Sequence, residues 1–188
     1  MGGADKSLLE IDGVTLLERV LRRLSSQAGP LLINSNASPE HFRRFGLPIL
    51  PDCRPGGHGP LAGILTGLQW TASLDLPWMV SVAADTPLFP ADLLLRLRTA
   101  VADGAPMAIA VSNGRIHPLF ALWPVHMGPA VCAALEQGNL SIGAFARDHG
   151  AAAVEWPGYP IDPFFNVNTP EDLATVGEIL RRFDPIPR

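Results

Sequence analysis

Cysteine is scarce in this 188-residue chain: Cys53 and Cys132 lie far apart, and neither has a CxxC partner. A disulfide framework and a cysteine-rich metal site are thereby excluded, and the pair reads as reduced thiols of a cytoplasmic protein. Charge is thin too, at 17% of residues with a net −4 and no basic run, which argues against a nucleic-acid platform. No apolar stretch reaches the roughly 18 residues of a membrane span. The start, MGGADKSLLE, lacks the apolar core of a signal peptide. His41, His58, His126 and His149 show no metal-ligand spacing, and no Ser/His/Asp order stands out. What is present is a hydrophobic fraction of 47%, enough to exclude disorder, with 18 glycines and 19 prolines scattered along the chain. Many turns and short elements follow. The length suits one domain, residues 1–188, with a sizeable core.

Strand and helix patterns alternate. Val14, Leu17, Leu21 and Leu24 form a helical stripe, with Arg19, Arg22 and Arg23 expected on its wet side. Residues 31–34 and 47–50 are short apolar strands, the second ending at Asp52. A turn-rich loop at 53–58 leads into a helix over about 60–72. Residues 78–83 form an unbroken apolar strand, which demands cover on both faces and is expected inside the sheet. A helix over 90–101 follows, then strands at 107–111 and 119–123 around Ser112-Asn113-Gly114. Helices near 126–137 and 141–148, a strand at 151–156 and a helix capped by Thr169-Pro170-Glu171-Asp172 complete the chain. This order predicts an α/β fold in three layers, a mostly parallel sheet with helices on both faces.

In such sheets, ligands bind beyond the carboxyl ends of the strands. Asp85, where the 78–83 strand gives way to Asp-Thr-Pro, is the clearest candidate there. A carboxylate at that rim suits Mg2+, which takes one or two carboxylates plus substrate phosphates. Capping of a helix near Pro87 is an equal reading of the same residue. The loop His58-Gly59-Pro60-Leu61-Ala62-Gly63 opens a helix and can offer backbone N–H groups to a base or phosphate, though it is also ordinary turn chemistry. Lys6 follows two glycines, where a cation can meet phosphate. Arg115 and His117 share one face of a strand and can receive an anion or form a solvated surface. Trp70, Trp78, Trp123 and Trp156 read as core.

Together these pieces resemble the molybdenum cofactor guanylyltransferases, nucleotidyltransferases of Rossmann-like α/β fold. The resemblance rests on Met1-Gly2-Gly3-x-Asp5-Lys6 with Leu8, Gly59-Pro60-Leu61-Ala62-Gly63, Asp85-Thr86-Pro87, Arg115-x-His117-Pro118-Leu119 and Phe165-Asn166-Val167-Asn168-Thr169-Pro170-Glu171-Asp172-Leu173. It covers nearly the whole chain, and the last motif is the most specific. The family joins GMP from GTP to the phosphate of molybdopterin, releasing pyrophosphate. By that resemblance Lys6 neutralises GTP phosphates, Asp85 holds Mg2+, and Leu61, Ala62 and Gly63 lie along the guanine. Asp52 matches an acidic position near the nucleotide. Arg115, His117, Asn166 and Asn168 border the pterin side. GTP and molybdopterin are the implied substrates, with molybdoenzymes or their chaperones as further partners, and neither nucleic acid nor membrane.

The chain departs from the family in two places. Family members open with a central strand and a Leu-Ala-Gly-Gly turn ahead of the Met-Gly-Gly, and a chain starting at Met1 is expected to miss both, to be less stable and to bind GTP weakly. Gly138-Asn139-Leu140-Ser141 stands where the family usually offers arginine, with Arg147 the nearest cation afterwards. Two alternatives remain: a related enzyme using CTP or another phosphate acceptor, and a non-catalytic paralogue that binds nucleotide or cofactor.

Overall fold

The structure, a computed structural model, describes residues 6–54 and 59–183. Met1 to Asp5 and His58, which carry parts of two motifs, lie outside the described residues. A hairpin comes first, β1 (Glu10–Ile11) against β2 (Val14–Thr15), turning on Asp12 and Gly13 at φ 52 and 76. Asp-Gly with positive φ at both residues is the preferred two-residue hairpin turn. Helix α1 therefore starts at Leu16, not Val14, and runs to Ser25; Thr15 Oγ1 accepts from Glu18 N at 3.2 Å.

The structure corrects the wet face of that helix. Arg19 is buried, and its Nη2 donates to Ile11 O at 2.7 Å. Only a planar fork of donors lets a buried arginine satisfy a carbonyl of the hairpin this way. Arg22 is exposed and paired with Glu18, whereas Arg23 is half-buried and reaches Phe89 O.

Next come β3 (Ile33–Asn34) and β4 (Ile49–Leu50), which pair in parallel, then α2 (Pro60–Ser73) and β5 (Trp78–Ser81). Helix α3 (Leu93–Ala102) leads to the hairpin of β6 (Ala108–Ser112) and β7 (Arg115–Pro124), closed by Asn113-Gly114. Then follow α4 (Gly128–Glu136), α5 (Ile142–Asp148), β8 (Ala152–Trp156) and α6 (Pro170–Phe183).

The layers follow from period-two alternation on the central hairpin. Ile109, Ala121 and Trp123 face α2, α4 and α5, in a core with Leu65, Val131 and Phe145. Ala108, Ala110, Phe120 and Leu122 face the opposite way, towards α1 and α3, in a core with Val20, Leu93 and Leu97. Away from the tip, where Arg115, Ile116 and Pro118 are exposed, both faces of the hairpin are dry, which is why that part of its sequence shows little polar alternation.

Strand order is where the expectation needs correcting. The four-stranded sheet runs β5-β7-β6-β8, with β6–β8 parallel but β5–β7 and β6–β7 antiparallel, so it is mixed rather than mostly parallel. Strand β5 is shorter than expected and lies at an edge of that sheet, not inside it, with Trp78 37% exposed. No ladder joins β5 to β3 among the described residues. An apolar cleft of about 1010 Å³ runs between them, with Val20 and Leu24 of α1 on one side and Ile64 and Gly67 of α2 on the other. Helix cover from both layers shields the edge strand β5 only in part: Trp78 is exposed, and Met79, Val80 and Ser81 are half-buried along the cleft. No described helix is long and apolar enough to cross a membrane.

Candidate active site

Strand β5 delivers Asp85 to the rim of the sheet through a turn. The first α-helical residue after it is Leu93, so capping of a helix near Pro87 is ruled out for Asp85. The backbone fixes the residue: Val167 N donates to Asp85 O at 3.0 Å. Beside it the fully buried Thr86 presents Oγ1 to Asp85 Oδ1 at 3.3 Å and to Asn166 Oδ1 in a short hydrogen bond. With a single proton, that hydroxyl serves one of the two oxygens at a time.

The segment carrying Asn166 continues into the cap of α6. Asp172 Oδ2 accepts from Asn168 N at 2.9 Å and Thr169 N at 2.8 Å, and Thr169 Oγ1 accepts from Asp172 N at 3.1 Å. This is the reciprocal capping box read from the sequence. The donations from the Asn168 and Thr169 backbone hold the Asp172 carboxyl below the usual carboxylate range, with a smaller contribution from the Lys6 charge. Asn168 is thereby oriented, and Lys6 Nζ donates to its Oδ1 at 3.2 Å. Lys6, Asp85, Asn166 and Asn168 thus border one region.

The donors there are a carboxylate, an amide oxygen and a hydroxyl. Hard oxygen ligands of that kind fit a small divalent cation, such as nucleotidyltransferases typically use, and not a soft metal. Among the described residues there is no cluster of three or more His, Cys, Asp or Glu. A cation held at Asp85 would therefore need waters or phosphate oxygens to complete its shell, as Mg2+ commonly does.

A second pocket, of about 470 Å³, lies between the β3–β4 pair and the start of α2, lined by Asn34, Asn36, Asp52, Gly59 and Gly63 among others. Asn34 Nδ2 donates to Leu50 O at 3.1 Å, which turns Oδ1 towards Gly63. A Cβ at Gly63 would collide with Asn34 Oδ1 and lie 3.2 Å from Asp52 Oδ1. Two acceptor oxygens therefore flank the bare glycine, a pattern that suits a ligand edge bearing adjacent donors. Gly59 is needed for its φ of 64, and a Cβ there would come within 3.2 Å of Leu140 Cβ, so the 138–141 turn leans on the helix start. Leu61 and Ala62 are wholly buried in the core, backbone included, so of the three loop residues expected along the base only Gly63 lines this pocket.

Arg115 and His117 separate. Arg115 is exposed at the hairpin tip, while His117 is 8% exposed, stacked on Phe164 at 4.5 Å between centroids. His117 Nε2 sits 2.7 Å from Ser112 Oγ, which donates to Asp162 Oδ1 at 2.8 Å. The network ties the central hairpin to the loop leading to Asn166. Burial lowers the His117 pKa below its ordinary value, the Asp162 carboxylate opposes this, and the Arg115 charge adds to it. The unfolded chain therefore binds the proton more readily, and stability should fall as pH drops below about 6.5. Melting temperatures measured from pH 8 to pH 5 are expected to decline over that range, and less steeply in His117→Gln. Equal slopes would mean that other groups set the acid sensitivity.

Asn34, Thr86, Asp162 and Asp172 escape the sequence reading as site residues. Asn34 could have been found by the rule that finds Asp85, a polar residue at the end of an apolar strand.

The comparisons bear on what this geometry serves. A family model described as the MobA-like NTP transferase domain matches residues 1–153. A molybdenum cofactor guanylyltransferase of Rhodopseudomonas palustris (strain BisB5) is 46% identical over 97% of this chain and 89% of its own length. One from Mesorhizobium japonicum is 43% identical over 96% of this chain and 90% of its own. The chain belongs to the molybdenum cofactor guanylyltransferase family. It is a nucleotidyltransferase. The crystal structure of molybdopterin-guanine dinucleotide biosynthesis protein A from Archaeoglobus fulgidus superposes with a TM-score of 0.75, covering 96% of this chain and 93% of that one. At 22% identity that likeness supports the Rossmann-like nucleotidyltransferase fold. A cytidylyltransferase from Thermus thermophilus, at 20% identity and a TM-score of 0.66 over 94% of each chain, shares the same architecture.

Proposed function

We propose that this protein transfers GMP from GTP to the terminal phosphate of molybdopterin, with Mg2+ at Asp85, Lys6 at the phosphates and the base in the Asn34–Asp52–Gly63 pocket. An oxygen of the molybdopterin phosphate attacks the α-phosphorus of GTP. One P–O bond forms as the α–β bridge breaks, and pyrophosphate leaves with that electron pair. The nucleophile is already an anion, so no side chain has to remove a proton. Charge neutralisation and in-line positioning are what the site must supply. Bound at Asp85, Mg2+ would draw charge from the phosphate oxygens. Asn166, bonded to Thr86 beside Asp85, and Asn168, bonded to Lys6, are the residues we assign to the acceptor side. Two acceptor oxygens at Gly63 suit guanine, which offers N1–H and the N2 amine side by side, whereas cytosine has a single donor group on that edge.

The observation that carries this reading is the hydrogen bond from Lys6 Nζ to Asn168 Oδ1, which joins the phosphate side and the acceptor side across 162 positions of sequence. Reduced thiols fit a cytoplasmic reaction, and both cysteines are free. Hand-over of product to molybdoenzymes or their chaperones belongs to the same reading. Incubation with GTP or CTP, Mg2+ and molybdopterin tests it. Pyrophosphate release with GTP and molybdopterin together is expected, and release with CTP instead would overturn the choice of base.

Lys6→Ala should lower turnover by about 10²-fold, the usual loss for one donor aimed at transition-state charge. The GTP-over-CTP preference should stay the same, because a point charge at the phosphates does not read the base. A changed preference at intact turnover would put Lys6 at the base.

A further inference from the structure

Asp52 lies on the loop after β4, only half-buried, where a carboxylate ordinarily samples several rotamers. Here it is gripped twice by one partner: Asn36 Nδ2 donates to Asp52 Oδ2 at 2.8 Å, and Asn36 Oδ1 accepts from Asp52 N at 2.9 Å. The amide orientation is internally fixed, because reversing it would set donor against donor at the backbone N–H. Asp52 Oδ2 is thus occupied, and Oδ1 is the oxygen left at Gly63, beside Asn34 Oδ1.

We infer that Asn36 is a positioning residue for base selection, acting through Asp52; this rests on the reading of the pocket as the guanine site. Held by Asn36, the carboxylate meets the base with its rotamer already chosen, so no side-chain freedom is lost on binding. Without that grip, Asp52 turns towards water, and the second acceptor beside Asn34 is lost. What disappears is recognition of the guanine N2 amine, the donor we assign to Asp52 Oδ1, while N1–H stays with Asn34 Oδ1 and the phosphates and Asp85 are untouched. Such a loss falls on KM more than on kcat and weakens discrimination against a base that lacks the donor.

The test compares GTP with ITP, whose hypoxanthine lacks the N2 amine, and with CTP, in steady-state assays with Mg2+ and molybdopterin. Asn36→Ala is expected to raise KM for GTP about tenfold. ITP should change little, so the GTP-over-ITP ratio contracts. Asn36→Asp keeps an acceptor for the Asp52 N–H and removes the donor to Oδ2; it should show the same contraction, and it serves if the alanine variant folds poorly. An unchanged GTP-over-ITP ratio in the folded variants, even with a lowered melting temperature, overturns the inference and leaves Asn36 as a loop pin. If wild-type protein does not prefer GTP to CTP, the guanine reading itself has failed, and the role of Asn36 falls with it.

Discussion

Asp85→Asn should fold normally and, with Mg2+ at Asp85 as proposed, lose turnover by on the order of 10³-fold, because it removes the anionic ligand while keeping the shape of the side chain. Several kcal/mol of charge compensation at the phosphates correspond to about that factor, at about 1.4 kcal/mol per tenfold. The fold has little reason to notice. Asp85 caps no helix, the bond from Val167 N to its carbonyl survives the change, and asparagine keeps an Oδ1 that can accept from Thr86 Oγ1. Turnover measured against rising Mg2+, alongside a thermal melt, decides the matter. A wild-type rate at saturating Mg2+ would remove Asp85 from the reaction.

Gly63→Ala is expected to separate binding from stability in the opposite sense to a core mutation. Gly63 lies inside α2, where alanine is favoured over glycine by up to about 1 kcal/mol. The added methyl meets Asn34 Oδ1, the far end of a flexible side chain, which can swing away by giving up its bond to Leu50 O. Melting temperature should therefore hold or rise. GTP affinity should drop by about 10²-fold, since one acceptor is displaced and the space against Asp52 Oδ1 is filled. Calorimetric titration with GTP alongside a melt reads both. Unchanged affinity would place the base elsewhere.

Much of the site was legible because its parts obey local rules. An apolar run that stops at Asp-Thr-Pro announces a carboxylate at a strand end, and Asp85 is there. Thr169 and Asp172 stand at capping-box spacing, and they close the box. Other parts were illegible for equally physical reasons. Arg19 keeps helical spacing with its exposed neighbours, and its burial depends on a tertiary partner, the carbonyl of Ile11 two elements earlier. Leu61 and Ala62 belong to the loop motif, yet the helix phase turns their side chains into the core, leaving Gly63 at the pocket. Arg115 and His117 share a spacing but not an environment, because the hairpin tip exposes one and Phe164 covers the other.

By itself the sequence determined the alternation of helix and strand, the hairpin turn at Asn113-Gly114 and the start of the last helix. Each depends on which residues lie within a few positions of one another, through periodicity, turn chemistry and capping. Tertiary structure alone decided that β5 is an edge strand, that β7 runs antiparallel between β5 and β6, and that Asn34, Asp52 and Gly63 meet around one pocket. Apolar burial has no direction, and a backbone donor pairs equally well with any strand brought beside it. Local pattern therefore fixes what must be covered, and the packing of the whole chain chooses what covers it.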